Sequence, residues 1–327
     1  MKKRVLSGMR PTGKLHLGHY VGALENWIQL QNEYESFFLI ADYHILTTNL
    51  DTSEAYKNTI EMAIDWLACG LNPEKSPFFR QSQIKEHTEL HLIFSMLITV
   101  ARLERNPSVK EQAKQLNIEE KNISYGHLGY PVLQAADILL YKGEVVPVGE
   151  DQAPHVEITR EIARRFNNQY SPIFPEPMPL LTQFSRFGGL DGSAKMSKSL
   201  NNTILLSDDV ETVKNKLRKA VTDPQKIRKN DPGRPEVCVI FSYHKKFNNE
   251  NLNEIESGCR TGSLGCVECK LKCSNSISSF LQPIIEKRKH YENKLSEVRE
   301  IILEGENKAR EIARKTMLEV REAMRLG

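Results

Sequence analysis

The sequence predicts an α/β chain: a parallel sheet with helices on both faces, followed by a smaller C-terminal helical domain. Short apolar runs alternate with longer amphipathic ones through the first half, an alternation that argues for a parallel sheet covered by helices. A glycine-spaced turn follows the first apolar run and opens a helix, the setting of a ligand site at the carboxyl end of a strand. After Asn202 the pattern turns mostly helical and highly charged.

In chain order, Arg4 to Met9 (RVLSGM) reads as a strand and Gly18 to Asn32 as an amphipathic helix. Ser36 to His44 (SFFLIADYH) reads as a buried strand, Glu54 to Cys69 as a helix stopped at Gly70 and Pro73, and Phe78 to Ser82 as another strand. Helices follow at His87 to Glu104 and Pro131 to Tyr141, with Pro131 suited to the first helical position. A strand at Val145 to Val148 and a helix from Ala153 to Phe166 complete the alternation, which prolines between Ser171 and Pro179 then break. The closing GENKAREIARKTMLEVREAMRLG reads as the last amphipathic helix. Residues 1–186 are expected to form one domain, 187–204 a loop and linker, and 205–327 the helical domain.

At 327 residues, 39% hydrophobic and 27% charged, the chain has the composition of an ordinary two-domain soluble protein. A formal net charge of +3 is too small to argue for a nucleic-acid partner, so local clusters carry that question: KNKLRK at 214–219, KIRK at 226–229 and KRK at 287–289 could each meet an RNA backbone. No segment approaches the roughly 20 apolar residues of a membrane span. The basic start MKKR lacks the apolar stretch of a secretory signal, and the expected location is the cytoplasm.

Two motifs bear on chemistry. PTGKLHLGH (Pro11 to His19) places Gly13 for a tight turn, Gly18 for close backbone approach, and His16 and His19 to donate to phosphate oxygens at a helix start. KMSKS (Lys195 to Ser199) sets two lysines around a serine, able to bring mobile positive charge to a leaving pyrophosphate. Together they point to one triphosphate.

These motifs resemble the HIGH and KMSKS signatures of class I aminoacyl-tRNA synthetases, and the likeness extends over nearly the whole chain. SGMRPTGKLHLGHYVGALENW, ADYHILTT, LGYPVLQAADILLYKGEVVPVGEDQ, GLDGSAKMSKSLNNT and TMLEVREAMRLG resemble the bacterial tryptophanyl-tRNA synthetases. His19 stands where many relatives have Asn, and Arg10 where many have Gln. The resemblance implies a Rossmann-like catalytic domain that activates tryptophan with ATP and Mg2+, a helical domain that holds tRNA(Trp), and a homodimer. It implies an ATP site lined by Arg10, Pro11, Thr12, Gly18, Gly149, Glu150 and Asp151, with Lys195, Met196, Ser197, Lys198 and Ser199 of the second motif beside the nucleotide. Lys110 matches a mobile-loop lysine of the family and joins His16, His19, Lys195 and Lys198 at the phosphates.

Substrate choice is expected on one helix. Tyr130, Gln134 and Asp137 share a face, while Leu133, Ala136 and Leu140 turn toward the core. An indole nitrogen is only a donor, so a buried acceptor such as Asp137 can read it. The resemblance further implies that Tyr130, Gln134 and Gln152 hold the α-amino and carboxylate groups, that His44 flanks the ring, and that Val146 and Val148 form apolar wall. Y-x-x-x-Q-x-x-D also occurs in tyrosyl enzymes, the nearest rival; a catalytically silent RNA-binding relative is another, though both lysines and both histidines are present.

Five of the six cysteines lie between Cys238 and Cys273, spaced C-x20-C-x6-C-x2-C-x3-C. In a cytosolic chain that density suggests metal, and spacing alone does not separate zinc from an iron–sulfur cluster. A subset of bacterial tryptophanyl-tRNA synthetases carries a 4Fe-4S cluster on a similar arrangement. That resemblance selects Cys238, Cys259, Cys266 and Cys269, with Cys273 able to replace Cys238; Cys69 reads as core packing.

Overall fold

A computed structural model describes residues 2–115, 118–149, 152–181 and 187–326. Five parallel strands form one sheet in the order β3-β2-β1-β4-β5. They are β1 (Arg4–Met9), β2 (Glu35–Ile40), β3 (Phe78–Arg80), β4 (Val145–Val148) and β5 (Met178–Leu181). The helices of the first half are α1 (Leu17–His19), which continues through a wide turn at Tyr20–Leu24 into α2 (Glu25–Glu33), then α3 (Ala55–Cys69), α4 (Glu86–Ser95), α5 (Val100–Glu104), α6 (Pro107–Gln115), α7 (Tyr125–Leu140) and α8 (Ala153–Gln169). The second half holds α9 (Val210–Lys219), α10 (Val239–Phe247), α11 (Leu252–Thr261), α12 (Cys266–Glu292) and α13 (Leu295–Met324).

The apolar alternation of β2 explains the two cores. Phe38 and Ile40 pack with Trp27, Trp66 and Phe78 on one face, while Phe37 and Leu39 pack with Leu6, Ile138 and Phe166 on the other. Both faces are thus covered, as a parallel sheet requires. α12 lies against α3, and Ile277, Leu281 and Ile302 extend the first core into the helical half. α13 covers β3: at Gly305 a Cβ would stand 2.2 Å from the Phe78 carbonyl oxygen. Arg80 to Glu306 (2.6 Å) and Arg321 to Glu89 (2.5 Å) fasten it. No helix among the described residues is long and apolar enough to cross a membrane.

Several sequence-based bounds shift. β2 ends at Ile40 and β3 at Arg80, each followed by a short 3-10 turn (Tyr43–Ile45 and Gln81–Gln83), so His44 is a turn residue rather than a strand residue. The helix expected at His87 to Glu104 is two, α4 and α5. Pro131 lies inside α7, because Ser124 caps the helix earlier by accepting from the His127 N–H at 3.1 Å. Prolines mask β5 in the sequence, since it carries Pro179; as an edge strand it tolerates the missing donor. The last helix begins at Leu295, before the expected Gly305.

Candidate active site

Strand order reverses between β1 and β4, and sheets of this kind bind ligands beyond the carboxyl ends at that switch point. β1 runs there into the first motif, and β4 ends beside Gly149. Gly13 takes φ +95°, a left-handed turn that favours glycine. Gly18 serves close approach, since a Cβ there would stand 2.9 Å from the His16 ring and 3.3 Å from Met196 Cβ. The His16 backbone N–H donates to His19 Nδ1 at 3.2 Å, and the two rings lie 3.8 Å apart. Burial lowers His16 to about 4, and burial with the neighbouring His16 holds His19 well below its ordinary value; Lys198 adds to both. Both imidazoles are therefore neutral N–H donors at pH 7.

The two motifs meet through backbone. Leu17 N–H donates to Ile204 O and Leu206 N–H to Leu15 O, both at 2.9 Å, so the segment after KMSKS lies antiparallel beside the first motif. Lys198 Nζ consequently bonds the carbonyls of Thr12 and Lys14, the second at 3.1 Å. Burial there lowers its ammonium from the ordinary value, with Asp65 opposing. Met196 is buried, whereas Lys195, Ser199 and Thr12 are exposed. Asn202 shapes this loop and was not singled out from sequence. Its Oδ1 accepts the Ser197 N–H at 2.6 Å while Nδ2 donates to Asp191 (2.9 Å) and Ser193 Oγ (2.8 Å).

Another unforeseen support is Asp65, which accepts the Leu15 N–H at 2.7 Å and the guanidinium of Arg288 from α12. Burial lifts Asp65 to about 6 while Arg288 pulls it down, leaving it ionised at neutral pH. Arg288 is 2% exposed, so KRK at 287–289 does not offer its central arginine to RNA. In KIRK, Lys226 is likewise buried and bonds the Asp231 carbonyl.

α7 carries Tyr130, Gln134 and Asp137, and Val146 and Val148 are buried on β4. Asp137 is 3% exposed and accepts four hydrogen bonds. Gln81 Nε2 reaches both oxygens (2.8 and 2.9 Å), His87 Nδ1 the first (2.7 Å) and His44 Nε2 the second (3.0 Å). Burial would raise this carboxyl, but the hydrogen bonds from His44 and His87 outweigh it and hold it well below the usual carboxylate range. The sequence reading puts Gln81 inside a strand and His87 at a helix start and gives neither a role at the site. Leu133, expected in the core, instead lines a cavity of about 210 Å³ with Tyr43, Leu46, Thr47, His91 and Tyr130. Arg10 bonds Thr48 Oγ1 at 3.2 Å, and Pro11 is buried beside it. Gln152 opens α8, its N–H on Gly149 O at 3.0 Å. Lys110 is exposed on α6, which packs against α8. Glu150 and Asp151 lie outside the described residues.

The family model for class I tRNA synthetases of tryptophan and tyrosine matches residues 1–282. A tryptophan–tRNA ligase of Thermotoga maritima is 49% identical over 99% of each chain. The chain belongs to the class I tryptophanyl-tRNA synthetases. A relative of the same name in Aquifex aeolicus is 46% identical over 99% of this chain and 100% of its own. The solved synthetase of Campylobacter jejuni, complexed with ADP and tryptophan, matches with a TM-score of 0.87 at 35% identity, covering 98% of this chain and 99% of that one. A tyrosyl-tRNA synthetase of Archaeoglobus fulgidus shares the fold alone, at 21% identity and TM-score 0.69.

In this synthetase Cys69 ends α3 and the other five cysteines sit on α11, α12 and the turn before α10, all as free thiols. Burial raises Cys259, with Lys226 opposing and Cys238 and Cys266 adding; burial raises Cys269 to about 12, with Cys238, Cys259 and Cys266 adding. Cys238 and Cys266 thus each lie near Cys259 and Cys269, which also lie near each other. Cys273 is 1% exposed inside the main core and is raised by burial, then by Cys269 and Cys238. Among the described residues no three His, Cys, Asp or Glu side chains are gathered closely enough to hold a single metal ion.

Proposed function

We propose that the chain activates L-tryptophan with ATP to give tryptophanyl-adenylate and pyrophosphate, then transfers tryptophan to the 3′ end of tRNA(Trp). What carries this is Lys198 of KMSKS seated on the carbonyls of Thr12 and Lys14 in the first motif, which puts two sets of phosphate-seeking groups, far apart in sequence, at one strand end.

The tryptophan carboxylate is ionised at neutral pH and needs no general base to attack the α-phosphorus. As its oxygen bonds to phosphorus, the bond to the β-phosphate oxygen breaks and negative charge leaves on pyrophosphate. Lys195 and Lys198 meet that charge and His16 and His19 donate N–H groups, while Mg2+ bound with the nucleotide would supply further positive charge. Lys110 joins them. Arg10, Pro11, Thr12, Gly18, Gly149, Met196, Ser197 and Ser199 line the nucleotide.

In the slot, the indole N–H takes the place of His44 on Asp137 Oδ2. The four hydrogen bonds already fill that carboxylate, and His44, at 11% side-chain exposure against 0% for His87, is the partner nearer solvent. His44 then flanks the ring, Val146 and Val148 wall it, and Tyr130, Gln134 and Gln152 hold the amino and carboxylate groups.

Residues 1–186 act as the catalytic domain, 187–204 as loop and linker, and 205–327 as the tRNA-binding region of a cytoplasmic homodimer. The donor set suits a 4Fe-4S cluster on Cys238, Cys259, Cys266 and Cys269, since four free thiols in one region of the fold are the ligand type such a cluster takes. Bound there, it would cross-link α11 and α12 to the turn before α10 and stabilise the fold. Cys273 serves packing. Tryptophan-dependent ATP–pyrophosphate exchange tests the whole reading; exchange supported by tyrosine and not tryptophan would refute it.

A further inference from the structure

His155 of α8 is fully buried and takes no part in the roles above. Its Nδ1 lies 3.0 Å from Asn106 Nδ2 and its Nε2 lies 2.9 Å from Tyr130 Oη. The amide of Asn106 has only one orientation available, because its Oδ1 accepts the Ser108 N–H at 3.0 Å and so leaves the NH2 group toward the ring. A nitrogen facing that donor must be the acceptor, which places the imidazole proton on Nε2. His155 therefore donates to Tyr130 Oη, and the phenol keeps its own proton and a lone pair for a ligand.

The other end of this chain of bonds is the start of α6. Asn106 is 1% exposed, caps the helix through Ser108, and accepts the Lys110 N–H on its carbonyl at 3.4 Å. A single buried imidazole thus stands between the phenol of the amino-acid slot and the first turn of the helix bearing Lys110. A buried network with each of these bonds made has few alternative arrangements.

We propose that His155 is a positioning residue that presents Tyr130 to the amino and carboxylate groups of the bound amino acid and ties that phenol, through Asn106, to the helix of Lys110. This rests on the reading of Tyr130 as an amino-acid ligand.

Pyrophosphate exchange with His155→Phe, His155→Asn, His155→Gln, Tyr130→Phe and Tyr130→Phe/His155→Phe tests it. Asparagine retains a group on the Asn106 side only, whereas glutamine reaches the Nε2 position. We expect His155→Phe and His155→Asn to raise the tryptophan KM about tenfold, as for one lost hydrogen bond, with the ATP KM changed less than twofold. His155→Gln restores most of that loss, and the double variant is no worse than Tyr130→Phe. Should His155→Phe fail to fold, His155→Asn carries the same expectation. An unchanged tryptophan KM in both, a parallel rise in both KM values, or effects that multiply in the double variant would overturn the inference. Tyr130→Phe leaving the tryptophan KM untouched would instead overturn the reading beneath it.

Discussion

The proposed amino-acid end and the proposed phosphate end of this site share one sheet but are finished to different degrees. Asp137 is buried and already holds four hydrogen bonds from three partners, so its geometry exists before substrate arrives. At the other end Lys195 is exposed, Lys198 rests on backbone carbonyls, and the paired histidines are neutral. Selectivity depends on the penalty for leaving a buried acceptor unmatched, which demands a prebuilt pocket. Charge stabilisation is needed only as pyrophosphate departs, and clustered bare cations would repel one another until then.

The strongest way to break this contrast is Asp137→Ala. It should cut kcat/KM for tryptophan by about 10⁴-fold in pyrophosphate exchange, since the pocket loses its only proposed reader of the indole N–H. Next is Arg288→Met, which leaves the buried Asp65 carboxyl without its cation beneath the first motif; urea unfolding should show a loss of about 3–5 kcal/mol, largely recovered in Asp65→Asn/Arg288→Met. Lys198→Ala sharpens the contrast from the phosphate end, lowering kcat by about 10²-fold while leaving tryptophan binding by calorimetry unchanged.

The smallest effect is the pH dependence of stability. His16 is lowered to about 4 from an ordinary value near 6.5. The unfolded chain therefore binds more protons between those values, and stability present above 6.5 is lost as pH falls toward 4. Asp65, raised to about 6, acts in the opposite sense below that pH. Thermal unfolding of His16→Asn between pH 6.5 and 4 should consequently lose less stability on acidification than the parent chain.

Much of this was legible where local pattern and tertiary role coincide. The alternation gave the parallel sheet, and the run VVPV gave β4 to the residue. Sequence failed where a side chain's meaning depends on a distant partner. Arg288 sits between two lysines like a surface residue, yet its partner is Asp65 on α3. Asn202 and His155 act through three-dimensional neighbours that no local spacing encodes. Prolines suggested an end to the sheet where an edge strand can in fact accept them.

The bare backbone of Gly305 against the Phe78 carbonyl bears on how copies of this protein avoid sticking together. β3 is the rim of the sheet and carries two phenylalanines, the kind of margin onto which a foreign strand can zip. With the final helix laid flush upon it, that margin is shut. Any larger residue at position 305 would prise the hem open, and turbidity on heating would reveal it before activity did.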